Sequence, residues 1–133
     1  MPLILIVDDF PDGRDVMALV LRHAGYSVLT AASGTEALRV AQDARPDLVL
    51  LDFRMPDMTG FEVLESLRGA SPNLPVIMMT ALFEQTAIDE ATRLGARDYL
   101  VKGNFDIDDM LTRIARQIPA QVAPGAAAPA TPA

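Results

Sequence analysis

The stretch Leu3-Ile4-Leu5-Ile6-Val7-Asp8-Asp9 decides the fold. Five apolar residues in a row, with no polar alternation, are the pattern of a strand buried on both faces. Such strands belong to a parallel sheet with helices above and below. The following residues supply the first helix. Pro11 suits an opening turn, Val16, Leu19, Val20 and Ala24 recur at helical spacing, and Gly25 fits the stop. Tyr26–Ala31 reads as a second strand. Ser33 and Glu36 stand in capping-box spacing before a short helix through Ala37, Leu38 and Ala41, and Pro46 ends that unit.

The alternation continues. Leu48–Leu51 is a third buried strand, and Thr59 with Glu62 repeats the capping-box spacing before Phe61, Leu64 and Leu67. Gly69, Pro72 and Pro75 are expected to break the chain before a fourth strand, Val76–Met79. A helix from about Glu84 to Leu94 stops at Gly95, and Asp98–Val101 is the fifth strand. Ile107, Met110, Leu111, Ile114 and Ile118 form the cleanest amphipathic stripe in the sequence. Five strand–helix units predict a flavodoxin-like (βα)5 doubly wound α/β sandwich, its parallel sheet in the order 2-1-3-4-5.

Composition sets limits around this frame. The 133 residues are 50% apolar and 22% charged, a globular balance in one domain of ordinary size. Cysteine is absent and His23 is the single histidine, which argues against thiolate zinc sites, a cysteine nucleophile and a Ser-His-Asp triad. The net charge of −7 disfavours direct nucleic-acid binding. No apolar run approaches the roughly 20 residues of a membrane span, and the N-terminus lacks the features of a signal peptide, so a cytoplasmic protein is expected. Residues 119–133 hold four prolines, seven alanines and no charge. They are expected to be a disordered tail or linker stub following a domain of residues 1–118.

Ligands of doubly wound sheets bind beyond the carboxyl ends of the strands, at the switch point beside strand 1. The expected strand ends carry Asp8-Asp9, Asp52, Thr80-Ala81 and Lys102, while strand 2, away from the switch point, ends in Ala31-Ala32. Each polar residue alone is ordinary; together, at matching strand ends, they point to a site. Lys102 is also the only lysine among eleven Lys and Arg residues. Three carboxylates in one crevice repel, at about 4 kcal/mol per pair for a separation near 4 Å and an effective dielectric near 20. A divalent cation would relieve this, and an all-oxygen donor set favours Mg2+ or Mn2+ over zinc. A carboxylate can also be a nucleophile toward phosphorus, and phosphoryl transfer is mostly positioning and charge neutralisation. Lys102 and Thr80 are suited to a phosphoryl group's oxygens.

At this point the sequence resembles the receiver domain of two-component response regulators, of the single-domain kind found among chemotaxis regulators. The resemblance spans about residues 1–118. It rests on Ile6-Val7-Asp8-Asp9, the run from Leu50 through Asp52, Arg54, Met55, Pro56 and Gly60 to Glu62, Met79-Thr80-Ala81, and Gly95 through Tyr99 to Lys102. It implies that Asp52 accepts a phosphoryl group from a sensor histidine kinase or a histidine phosphotransfer protein. It further implies that Asp9 binds Mg2+ directly and Asp8 mainly through water, with Asp52 and the Arg54 backbone carbonyl as further ligands. Thr80 and Lys102 would sense the phosphoryl group and Tyr99 would be the switch aromatic. A downstream protein partner would read helix 4, strand 5 and helix 5, with the protein a monomer or a phosphorylation-dependent dimer.

The sequence departs from the family pattern in places. Gly103 follows Lys102 where proline with a cis bond is frequent, and Phe10 follows the acidic pair where many members are polar. Arg54 and Leu82, each two residues beyond a site residue, are expected to tune the phosphoryl lifetime. The expectation is therefore a phosphorylation-dependent switch rather than a turnover enzyme. The alternatives are a pseudo-receiver that acts only as a binding module, a haloacid-dehalogenase-type phosphatase, and a flavodoxin-like electron carrier. The phosphatase would need an aspartate where Arg54 stands, and the electron carrier a phosphate-cradling loop after strand 1.

Overall fold

A computed structural model describes residues 2–53, 55, 57–80, 85–101 and 106–118. The elements are β1 (Leu3–Val7), α1 (Pro11–His23), β2 (Ser27–Ala31), α2 (Gly34–Ala44), β3 (Leu48–Asp52), α3 (Gly60–Ala70), β4 (Val76–Thr80), α4 (Gln85–Arg93), β5 (Asp98–Val101) and α5 (Ile107–Gln117). The strands form one parallel sheet in the order β2-β1-β3-β4-β5, as the sequence pattern predicts.

Period-two alternation divides each central strand between two cores. Ile4, Ile6, Leu48, Leu50, Ile77 and Met79 face α1 and α5, where Leu21, Met110 and Ile114 meet them. Leu5, Val7, Val49, Leu51, Val76 and Met78 face the other layer, against Ala37 of α2, Val63, Leu64 and Leu67 of α3 and Ala91 of α4. All twelve strand residues are at most 3% exposed, which accounts for the unbroken apolar runs in the sequence. Met17, Met78, Met79 and Met110 are buried packing residues, and Met55 and Met58 pack against the second core, so these six methionines act as filler.

The element boundaries differ from the expectations in physically informative ways. α3 runs through Gly69 to Ala70, so glycine alone does not end it; the end comes where Ser71 leaves helical geometry before Pro72. β3 and β4 each extend one residue further, taking Asp52 and Thr80 into the ladder. β2 begins at Ser27, because Tyr26 still closes the turn by donating its N–H to the Leu21 carbonyl. Ile107 is not a core residue: it opens α5 and is 49% exposed, while Met110, Ile114 and Ile118 carry the buried stripe. The Thr59–Glu62 capping box forms in full. At α2 the pattern is altered: Ser33 Oγ accepts from Glu36 N–H, but the Glu36 carboxylate reaches back to Ala32 N–H.

Candidate functional site

The strand register gathers the acids. Val7 pairs with Leu51 across β1 and β3, so Asp8 and Asp52, each one residue further, emerge side by side. Asp52 pairs with Met79 across β3 and β4, and Thr80 follows. One carboxylate oxygen from each of Asp8, Asp9 and Asp52 lies within 4.8 Å of the others. Asp8 and Asp52 are buried, at 1% and 6% exposure, and Asp9 is exposed. Two nearly dry carboxylates under a third, solvent-facing one make a cluster that opens to one side.

The backbone around Asp8 is held from three directions. Its N–H donates to the Ala31 carbonyl at 3.1 Å. Its Oδ1 accepts from Phe10 N–H at 2.9 Å, and its carbonyl accepts from Arg14 Nη1 at 2.9 Å. Phe10 is the N-cap residue of α1, gives no side-chain cap and is 57% exposed, so an apolar ring stands at the rim of the cluster. The Arg14 contact is absent from the sequence reading. It lies one helical turn into α1, but nothing in the residue pattern says which carbonyl a surface arginine will reach.

Thr80, at 9% exposure, and the half-buried Tyr99 line one small apolar cavity of about 20 Å3 with Phe53, Met78, Ala87, Ile88 and Ala91. Tyr99 packs against the core of the α2–α4 layer. Lys102, Arg54, Leu82 and Gly103 lie outside the described residues, as do residues 119–133, so those expectations carry forward from the sequence alone. A groove of about 840 Å3 lies at the opposite end of the sheet, lined by residues such as Leu38, Arg45, Leu67 and Pro72. It is remote from the clustered strand-end acids. His23 is exposed at the end of α1. The arginines considered as a basic patch are engaged individually: Arg93 with Glu90, Arg97 with the Asn73 carbonyl, and Arg113 with Asp98 and Asp109. Arg116 lies exposed in the last turn of α5.

A doubly wound parallel sheet with three carboxylates at its switch point defines a flavodoxin-like α/β domain with an acidic strand-end centre. Within that class, the sequence model of the response regulator receiver domain matches residues 4–115. The chain belongs to that family. It is 40% identical over 116 residues to sporulation initiation phosphotransferase F of Bacillus subtilis, covering 87% of this chain and 93% of that protein. Among solved structures it is similar to a CheY-like receiver domain protein from Methanospirillum hungatei, with a TM-score of 0.84 and 30% identity over 89% of this chain and 94% of that one. It is also similar to response regulator protein TrrA from Thermotoga maritima, solved in complex with Mg2+-BeF, with a TM-score of 0.80 and 32% identity over 88% of this chain and 99% of that one. Against several curated transcriptional regulators the chain spans about half of their length. Among the described residues no helix is long and apolar enough to cross a membrane.

Proposed function

We propose that this chain is a phosphorylation-dependent switch in which Asp52 accepts a phosphoryl group from a sensor histidine kinase or a histidine phosphotransfer protein. The observation that carries this reading is the meeting of Asp8, Asp9 and Asp52 within 4.8 Å at the strand ends, beside Thr80. The donor set is all oxygen, which fits Mg2+. Asp9, Asp8, Asp52 and the Arg54 backbone carbonyl would hold the ion, with Mn2+ as a substitute. When bound, it would neutralise charge on the cluster and on the incoming phosphoryl group.

The chain's own residues supply the remainder. An Asp52 carboxylate oxygen attacks phosphorus and forms the acyl phosphate bond. The phosphorus–nitrogen bond of the donor histidine breaks, and its electron pair stays on the imidazole, which takes up a proton. Thr80 donates its hydroxyl to a phosphoryl oxygen, and the Lys102 ammonium pairs with another. Movement of Thr80 toward the phosphoryl group vacates space beside the cavity it shares with Tyr99, and the ring follows inward. α4, β5 and α5 then present an altered face to a downstream protein partner. Arg54 and Leu82 govern how fast water reaches the phosphoryl group. The domain is residues 1–118, and residues 119–133 are an Ala/Pro-rich tail or linker stub. The protein operates as a switch that assists its own phosphorylation and dephosphorylation.

The test is intact mass after incubation with Mg2+ and acetyl phosphate, beside Asp52→Asn. One phosphoryl group on the parent and none on the variant is the expected result. An adduct on both places the acceptor elsewhere. No adduct on the parent, together with no response to Mg2+ and beryllofluoride, supports a pseudo-receiver.

A further inference from the structure

The connection from β3 to α3 carries the chain away from Asp52. Its base is closed by backbone bonds: Phe53 N–H donates to the Met79 carbonyl at 2.9 Å, and Gly60 N–H to the Phe53 carbonyl at 2.8 Å. Its far side is held from outside. The Asp57 carboxylate crosses to the N-terminus of α2, where Oδ1 accepts from Gly34 N–H at 3.0 Å. Its Oδ2 accepts from Thr35 N–H at 3.0 Å and from the Thr35 hydroxyl at 2.7 Å.

These bonds complete α2. The first N–H groups of a helix have no partner within it. Ser33 Oγ takes Glu36 N–H, the Ser33 carbonyl takes Ala37 N–H as the first intrahelical bond, and Asp57 receives the N–H groups of Gly34 and Thr35. An anion at that position also suits the helix dipole. The seating is tight as well as polar. A Cβ on Gly34 would stand 2.8 Å from Met58 Cβ, Met58 Sδ and Val63 Cγ2, so only glycine lets the loop and the helix meet this closely.

α2 follows β2, and the last residue of β2, Ala31, accepts the N–H of Asp8. Asp8 is thus bonded to the end of β2, α2 follows β2 within three residues, and the start of α2 is bonded to Asp57, which stands five positions after Asp52 in the chain. Resting on the reading of Asp52 above, we propose that Asp57 is a positioning residue for cation binding and phosphoryl acceptance. It holds the chain leaving Asp52 against α2 and so keeps the carboxylates from β1 and β3 in one cluster.

A helix cap with no further role would have the same bonds, so the experiment compares two caps of the same helix. Asp57→Ala removes the cap that reaches the loop; Ser33→Ala removes the one that does not. Asp57→Asn is the conservative variant, since its carbonyl still accepts from one N–H and its amide can donate to the Thr35 hydroxyl. For the full chain, Mg2+ affinity is measured by calorimetry and amide hydrogen exchange is followed at Phe53 and Gly60. The expected result is about tenfold weaker Mg2+ binding and faster exchange at both amides in Asp57→Ala. Asp57→Asn recovers most of both, and Ser33→Ala changes neither. Equal effects of Asp57→Ala and Ser33→Ala, or parental behaviour of Asp57→Ala, overturn the inference. A parent that binds no Mg2+ overturns the reading of the cluster instead. The exchange rates then decide the anchoring, supporting it if they rise in Asp57→Ala alone and overturning it otherwise.

Discussion

The two ends of the sheet carry opposite electrostatics. Because the strands are parallel and each helix runs back, helix N-termini gather at the carboxyl end and helix C-termini at the amino end. At the amino end, Arg68 Nη1 donates to the carbonyls of Ser71 (3.2 Å), Pro72 (2.7 Å) and Leu74 (2.9 Å), and Nη2 to the Gly95 carbonyl (2.7 Å). A cation there answers the negative helix ends and joins the turn after α3 to the turn after α4. Burial, with the Arg97 charge nearby, draws the Arg68 guanidinium pKa below its ordinary value. Gly95 completes the joint, since its φ of +108° suits glycine and a Cβ there would lie 2.5 Å from Arg68 Nε. At the carboxyl end, three acids share one small volume. Stability and chemistry are thus separated along the strand axis: at one end a cation gathers backbone carbonyls, and at the other three carboxylates concentrate like charge that a cation would relieve.

The largest effect that would break this comparison is at the amino end. Arg68→Ala leaves four carbonyls without their shared donor and is expected to lower the unfolding free energy by about 3 kcal/mol, with Mg2+ affinity unchanged. Urea unfolding and calorimetry on the same protein check both halves. A comparable loss of Mg2+ binding would show that the two ends are not independent.

At the carboxyl end the sign reverses. Asp52→Asn removes one of three repelling charges and is expected to raise the unfolding free energy by about 1–2 kcal/mol in the presence of a chelator. If Mg2+ binds the folded state as proposed, it is expected to stabilise the parent and to stabilise Asp52→Asn less. Denaturant unfolding with and without Mg2+ reads both. A variant less stable than the parent in chelator would mean that the favourable interactions of Asp52 outweigh the repulsion from Asp8 and Asp9.

The smallest effect sharpens the role of Asp57. Three donors, the Thr35 hydroxyl foremost and then the amides of Thr35 and Gly34, lower its pKa from 3.8 to about 2. A carboxylate lowered on folding adds stability that is fully present above its unfolded pKa. That contribution begins to fade below pH 3.8 and is gone once the pH has fallen through about 2. The amide chemical shifts of Gly34 and Thr35 are expected to titrate together in that window in the parent and to stay flat in Asp57→Asn. A midpoint near 3.8 would show the clamp to be open in solution.

Much of the acidic centre was legible in the chain. Leu3–Val7 and Leu48–Leu51 announce strands buried on both faces, and a parallel doubly wound sheet leaves few places for the acids that follow them. Thr80 was legible on the same argument. The contacts of Arg14 and Asp57 were not, for different reasons. Arg14 reaches Asp8 by a side-chain rotamer that no pattern encodes. Asp57 meets Thr35 across 22 positions, through a loop whose path depends on how α3 packs beside α2. Ile107 shows the converse: it fits the amphipathic stripe of α5 by spacing, yet it sits on the first turn, beyond the edge of the core.

The amino-acid sequence by itself therefore determined the order of strands and helices, the fold class and the residues at the strand ends. Those follow from local periodicity, turn chemistry and the handedness of parallel crossovers, each of which acts over a few neighbouring residues or admits few alternatives. Only the tertiary structure decided that Asp8, Asp9 and Asp52 come within 4.8 Å, that Arg68 gathers four carbonyls, and that Asp57 caps a helix it does not precede. Such contacts depend on strand register, helix packing and rotamer choice, and these are set by the whole core at once.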